Sequence, residues 1–204
     1  MNGHEYVDLG LSVKWATCNV GATKPEEYGN YYAWGETKTK TTYGWNTYKW
    51  ATATYDAEID DWVLETFTKY NTSSDDGTVD NKTVLELSDD AARANLGGAW
   101  RMPTDAEWTE LRTNCTWTWT DDYNGTGVAG RIVTSNTNGN HIFLPAAGYR
   151  DGDDLGSAGD IGYYWSSSLD TGYPNDAWGV YFISDYVSRD YGSRYYGQSV
   201  RPVL

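Results

Sequence analysis

The chain has 204 residues, enough for one domain of generous size or two small ones, with a core that needs no disulfide scaffold. Its 15 Lys and Arg stand against 29 Asp and Glu, a net charge of −14, which excludes phosphate backbones and anionic lipid as partners. The 11 Trp and 18 Tyr beside only 3 Phe are aromatics that keep a polar tip, suited to half-buried contact positions rather than a dry interior.

Along the chain, Tyr6, Val7 and Leu9, then Leu11, Val13 and Trp15, alternate about Gly10 and predict an opening hairpin. Ile59, Trp62, Val63 and Phe67 fall at helical spacing, so a helix is expected over residues 57–70. The polar stretch 71–82 and the Asn/Gly-rich stretch 134–140 read as loops. A short helix is expected over 88–95, stopped by Gly97 and Gly98. Thr104 and Glu107 form a capping box after Pro103, opening a helix over 105–113 that puts Trp108 and Leu111 on one face. Residues 142–144 and 177–184 read as strands. These elements imply one loop-rich α+β domain over residues 1–204, with short antiparallel strands and two or three helices.

No stretch approaches the roughly 18 apolar residues of a membrane helix, so no membrane insertion is expected, and Met1 to Leu11 lacks the basic start and apolar run of a secretion signal. Cys18 and Cys115 form no CxxC or Cys/His cluster, and both a disulfide and two buried thiols fit them.

Composition breaks in the last fifth. Residues 1–162 hold 16 Lys plus Glu, whereas residues 163–204 hold none, and the same final segment carries 8 of the 18 tyrosines. Parity there is informative: Trp178, Val180 and Phe182 share one strand face and read as core, while Gly179, Tyr181 and Ile183 share the other. The following residues 185–193 read as a loop rich in Tyr, Ser, Gly and Asp, the residue types that give antibody paratopes rigid aromatic area and adaptable polar contacts.

Seven segments in order carry a resemblance: Tyr6-Val-Asp-Leu-Gly10, Trp15-Ala-Thr-Cys-Asn-Val-Gly-Ala22, Tyr32-Ala-Trp-Gly-Glu36, Trp100-Arg-Met-Pro-Thr104 with Glu107-Trp108, Leu144-Pro-Ala-Ala-Gly-Tyr149, Gly162-Tyr-Tyr-Trp-Ser-Ser-Ser168 and Ser199-Val-Arg-Pro-Val203. Together they resemble the Fibrobacter succinogenes major paralogous domain family. The resemblance implies a C-type lectin fold related to the formylglycine-generating enzyme scaffold, in gut bacteria of the Bacteroides type or their phages. It further implies that residues 163–204 are the variable region of a diversity-generating retroelement target, randomised at adenines. Asn codons treated in this way yield Tyr, Asp, Ser, Gly or Ile but never Lys or Glu. The positions the resemblance assigns to such diversified ligand binding are Asp170, Gly172, Tyr173, Asp176, Gly179, Tyr181, Ile183, Asp185, Tyr186, Ser188, Asp190, Tyr191, Gly192, Ser193 and Tyr196. Trp165, Pro174, Trp178, Val180, Phe182, Arg189, Arg194 and Arg201 are expected as invariant scaffold, with Gln198 also fixed.

Other sites are weighed against this reading. Asp151, Asp153 and Asp154, with Asp160 nearby, could ligate calcium, or form a solvated Gly/Asp loop without the twelve-residue EF-hand spacing. Tyr173-Pro-Asn-Asp176 lacks the acidic or amide residue that the lectin sugar-and-calcium motif places before proline. His4 and His141, the only imidazoles, lie in no catalytic motif, and the cysteines do not fall where formylglycine-generating enzymes carry theirs. Asp60-Asp61, Asp75-Asp76 and Asp121-Asp122 are adjacent acids of the kind that is normally solvated charge. Trp117 and Trp119 alternate with threonines as core or as a sugar-stacking face.

The expected function is therefore non-enzymatic binding of a protein or glycan ligand on a cell surface, without cofactor, displayed from a virion or a bacterial surface. Tyr181, Tyr186 and Tyr191 are the expected anchors. A fixed-specificity carbohydrate-binding or adhesin domain is the alternative, and a hydrolase using His141 with a carboxylate is a third.

Overall fold

The computed structural model describes residues 4–204. The opening hairpin forms as expected, β1 (Tyr6–Val7) pairing with β2 (Trp15–Ala16) across a loop in which Gly10 takes φ +69°. Short strand β3 (Tyr31–Tyr32) follows, and then the first difference from the sequence reading. Residues 57–70 are not a helix: β4 (Ala51–Asp56) and β5 (Asp61–Phe67) pair as an antiparallel hairpin whose turn passes through Asp60 at φ +55°. Threonines 52, 54 and 66 and Val63 favour the pleated form. Ile59, Trp62 and Val63, whose spacing suggested a helix face, are 63%, 40% and 42% exposed, so no core rewards that periodicity.

The other two expected helices are present. α1 (Ala91–Leu96) is capped by the Asp90 carboxylate, which accepts the Arg93 N–H at 2.9 Å, and Gly97 and Gly98 end it with φ of +69° and +60°. α2 (Asp105–Asn114) opens on the reciprocal box, the Glu107 N–H donating to Thr104 Oγ1 at 3.3 Å and the Thr104 N–H to Glu107 Oε2 at 2.8 Å. Its inner face buries Trp108 and Leu111.

A three-stranded antiparallel sheet follows, β6 (Cys115–Thr120), β7 (Gly130–Ser135) and β8 (His141–Pro145), then the small hairpin β9 (Tyr149–Asp151) and β10 (Asp154–Gly156). The C-terminal segment supplies most of the largest sheet: β11 (Gly162–Leu169), β12 (Asp176–Phe182), β13 (Val187–Ser193) and β14 (Gln198–Ser199), in the order β13-β12-β11-β14-β3. Residues 187–193 are thus an edge strand rather than a loop. They pair with β12 from Phe182↔Val187 to Asp176↔Ser193, so their side chains divide between two faces. The architecture is mixed α+β, mostly small antiparallel sheets with two helices and many loops.

One face of the five-stranded sheet buries Tyr164, Val180 and Phe182 against Trp15, Trp108, Leu111, Val133, Ile142 and Leu144. At the far end of the opposite face, Trp165, Leu169 and Ala177 pack with Tyr32, Trp34 and Met102. Cys18 and Cys115 are both free thiols, the latter buried.

Arginines tie these layers together. Arg194 is fully buried: its Nε donates to the Tyr48 hydroxyl at 2.9 Å, and its terminal nitrogens donate to the carbonyls of Tyr70, Pro174 and Lys69 at 3.1, 2.9 and 3.0 Å. Arg201, also fully buried, donates to Asn19 Oδ1 and to the carbonyls of Ala16, Thr17 and Phe143. Replacing Arg194 with Met leaves three buried carbonyls and a phenol hydroxyl without their donor, at about 1–3 kcal/mol for an unsatisfied buried group. We expect Arg194→Met to lower unfolding free energy by about 3 kcal/mol or more in urea titrations. A loss below about 1 kcal/mol would show that the guanidinium is dispensable to the fold.

Candidate ligand-binding face

Directly paired residues of antiparallel strands point to the same side, so the register sorts the candidate residues. Tyr163, Trp165, Tyr181, Gly179, Ser188, Asp190 and Gly192 lie on one face, which we call the outer face. Tyr164, Trp178, Val180, Phe182, Arg189 and Tyr191 lie on the other. The parity expectation holds at its centre: Val180 and Phe182 are 2% and 0% exposed, while Tyr181 and Ile183 are half-buried at the surface.

Near Phe182 the outer face is open and carries a row of aromatic rings in successive contact. It runs Trp45–Tyr195–Tyr196–Tyr149–Tyr163–Tyr181–Tyr186, with centroid separations of 4.8, 4.6, 5.4, 5.3, 5.0 and 6.5 Å. The first six rings are half-buried and Tyr186, at the β12–β13 turn, is exposed. Asp190 lies among them. Burial pushes the Tyr163 hydroxyl up to about 12, and the Asp190 carboxylate and the hydroxyls of Tyr181, Tyr149 and Tyr196 act in the same direction. Burial likewise raises Asp190 above the usual carboxylate range, against the bond its Oδ1 accepts from the Tyr191 N–H at 2.9 Å. At the other end of the row, burial raises Tyr195, helped by the Tyr196 hydroxyl and the charges of Asp151 and Asp61.

The turn that presents Tyr186 is held from beneath. Arg131 of β7 donates Nε and an η nitrogen to the Ile183 carbonyl at 3.1 and 2.8 Å, and its other η nitrogen to the Trp117 carbonyl at 2.8 Å. Asp185, exposed in the same turn, contributes a favourable charge to this guanidinium.

Several expected positions lie elsewhere. Asp170 and Asp176 are buried, at 5% and 8% exposure, Asp176 accepting the Ser193 hydroxyl at 3.3 Å and Asp170 the Gly172 N–H at 2.9 Å. Gly179 is also buried, and a Cβ there would sit 2.4 Å from the Tyr164 carbonyl oxygen, so the position has no room for a side chain. A Cβ at Gly192 would meet Gln198 Nε2 at 2.8 Å and the Trp165 ring at 3.3 Å. These four are floor or interior, not contact surface. Tyr191, expected beside Tyr181, projects from the opposite face and packs edge-on against Trp178 at 5.9 Å. Trp178 is not core: it is half-exposed, with the Arg189 guanidinium 3.1 Å from its ring centre and Arg189 Nε bonded to Asp105 of α2 at 2.8 Å. Gly172 and Tyr173 are exposed in the loop before β12. The residues expected as scaffold, Trp165, Pro174, Arg194, Gln198 and Arg201, are buried.

Sequence reasoning missed Trp45, Tyr149, Tyr163 and Tyr195. Tyr149 and Tyr163 sit inside segments that read as framework, and Trp45 is distant in sequence, so no local pattern joins them. Tyr163 and Tyr195 share the tyrosine enrichment of the C-terminal segment, and Tyr195, outside the framework segments, is the one that composition could have flagged.

The remaining candidates do not assemble into sites. Asp153 accepts the Thr42 hydroxyl and Asp151 faces Asp61, and among the described residues no three His, Cys, Asp or Glu side chains converge as a metal site. His4 stands edge-on to Trp100 and His141 is exposed at the start of β8. The three acidic pairs lie apart, at the start of β5, in a 3-10 turn at Ser74–Asp76 and after β6, and Trp117 leans on Phe182 in the core. Clefts of about 380 and 550 Å³, the first lined by Cys18 and Asn19 and the second by Lys40 and Arg150, contain none of the row's rings. Among the described residues, no helix is long and apolar enough to cross a membrane.

A family model described as a domain of unknown function (DUF8237) matches residues 131–203, from Arg131 in β7 to the C-terminal strands. No curated protein and no solved structure matches the chain. The matched segment contains the β12–β13 turn, its Arg131 support and most of the aromatic row.

Two outcomes follow from this geometry. Gly179→Ala is expected to cost about 1–3 kcal/mol in chemical denaturation, whereas Gly172→Ala, whose Cβ would meet only Asp170 Oδ1 at an ordinary contact distance of 3.4 Å, stays within about 0.5 kcal/mol. Burial, with Asp170 and Asp190 nearby, raises Asp176, so its charged form opposes folding above the ordinary carboxylate range and the penalty vanishes once both states are protonated. Asp176→Asn should therefore raise the melting temperature at pH 7 and leave it unchanged below pH 4; a loss at pH 7 would show the carboxylate to be stabilising.

Proposed function

We propose that this protein is a non-enzymatic binding module that presents the outer face of its five-stranded sheet to a partner on a cell surface. The observation that carries the reading is the aromatic row: seven rings in successive contact, six half-buried and Tyr186 exposed, on the sheet face that also holds the buried Trp165 and Gly179. Tyrosine gives large contact area with few rotatable bonds, and a stiff floor limits the entropy lost on binding.

The C-type-lectin-type scaffold and its use as a diversity-generating retroelement target are part of this proposal. Support comes from the seven sequence segments, the concentration of 8 of the 18 tyrosines after residue 162, and the placement of Gly172, Tyr173, Tyr181, Ile183, Asp185, Tyr186, Ser188, Asp190 and Tyr196 at least partly at the surface. Display on a virion or bacterial surface belongs to the same reading.

The encoding locus tests it. A neighbouring reverse transcriptase gene and a near-copy of the 3′ end, differing only at template adenines that map to these surface positions, is the expected finding. Differences falling equally on Trp165, Val180, Phe182 and Arg194 would overturn it. In the protein, Tyr181→Ala with Tyr186→Ala should abolish partner binding at a cost of about 1 kcal/mol in stability, while Tyr191→Ala leaves binding intact.

A further inference from the structure

Around Tyr163 and Tyr181 the outer face carries acidic side chains, and the basic residues of the C-terminal segment do not reach it. The only basic residues after residue 162 are Arg189, Arg194 and Arg201. Arg189 projects from the opposite face, and Arg194 and Arg201 are fully buried. Arg150 alternates with Tyr149 and Asp151 on β9 and lies over the Tyr31 ring at 5.3 Å, away from the row. Arg131 is bound to carbonyls beneath the turn. Against this stand Asp190, opposite Gly179 and diagonal to Tyr181 on the outer face and close enough to act on the Tyr163 hydroxyl, with Asp151 and Asp61 at one end of the row and Asp185 at the other. Among the described residues Asp190 takes part in no ion pair, and the one hydrogen bond to it comes from its neighbour's N–H.

A half-buried carboxylate covered by a neutral partner would lose solvent with nothing to replace it, which opposes binding. A guanidinium removes that cost, because its planar fork bonds a carboxylate while its face stacks on tyrosine rings. We propose that the outer face recognises a basic segment of a partner protein, with an arginine of that segment stacked on Tyr163 and Tyr181 and paired with the Asp190 carboxylate. This inference rests on the binding reading above and gives it a partner class.

The test is an NMR titration of the full chain, labelled in its backbone amides and tyrosine rings, with the peptide acetyl-Gly-Arg-Gly-Arg-Gly-amide. Its citrulline counterpart keeps the shape and removes the charge. We expect the arginine peptide to move the rings of Tyr163, Tyr181 and Tyr196 and the Asp190 amide, and to bind several-fold more weakly at about 200 than at about 20 mM salt. The citrulline peptide should not move them, and Asp190→Asn should weaken binding about tenfold, while the distant Asp121→Asn, Asp122→Asn double variant, which removes more charge, binds as the parent does. Amide spectra establish that each variant is folded.

Equal response to both peptides, no response of these rings to arginine, or equal losses in the two variants would overturn the inference. If the arginine peptide fails while maltohexaose moves the same rings in the parent chain and in Asp190→Asn alike, the face is a binding surface for neutral sugar, and only the basic partner falls.

Discussion

Two positive charges are closed inside this protein with neutral oxygens as their partners. Arg194 and Arg201 are fully buried, and their guanidinium groups spend their donors on backbone carbonyls, a tyrosine hydroxyl and an asparagine side chain. Burial lowers the Arg201 pKa, yet the group binds because each donor finds a fixed acceptor. Much of the chain is loop, and the acceptors are loop or strand-end carbonyls far apart in sequence. Arg194 joins the end of the β4–β5 hairpin to the loop before β12, and Arg201 joins β2 to β8. Irregular backbone that would otherwise bury carbonyls without partners is thereby made compatible with a packed interior.

Arg131 extends the same device to the functional surface. A hairpin turn with a free tip would move independently of the sheet that carries it. The paired bonds to the Ile183 carbonyl fasten the β12–β13 turn to the three-stranded sheet and fix where Tyr186 stands relative to Tyr181. Arg189 performs a similar role on the opposite face, joining the edge strand β13 to α2 through Asp105 and covering Trp178 with its guanidinium plane. Rigid support on both sides leaves the outer face with the low reorganisation cost that a recognition surface needs.

On that face a sequence of rings substitutes for a cleft. Each tyrosine is held partly by its neighbours, so the surface keeps its shape while the hydroxyls remain available for hydrogen bonds. Gly179 and Gly192 matter here as floor. Their lack of a side chain lets Gln198 and the Trp165 ring lie close against the strands on that face, which is why residues that read as adaptable surface turn out to be structural.

Much of this was legible in the sequence. The capping box of α2, the glycine stop after α1, the opening hairpin and the inward placement of Val180 and Phe182 follow from residue type and spacing, because they depend on neighbours within a few positions. The concentration of 8 of the 18 tyrosines in residues 163–204 marks the C-terminal segment as chemically distinct. The β4–β5 hairpin was misread because a few apolar residues match two periodicities, and only the absence of a core beside them decides between the two. The split of residues 187–193 across two faces, the removal of Tyr191 from the tyrosine row and the entry of Trp45 into it were settled by pairing with β12 and by contacts between residues up to about 150 positions apart in sequence. Sequence determined which side chains this surface could use, and tertiary structure decided which of them meet, because strand register and long-range packing are properties of partners and not of the segment itself.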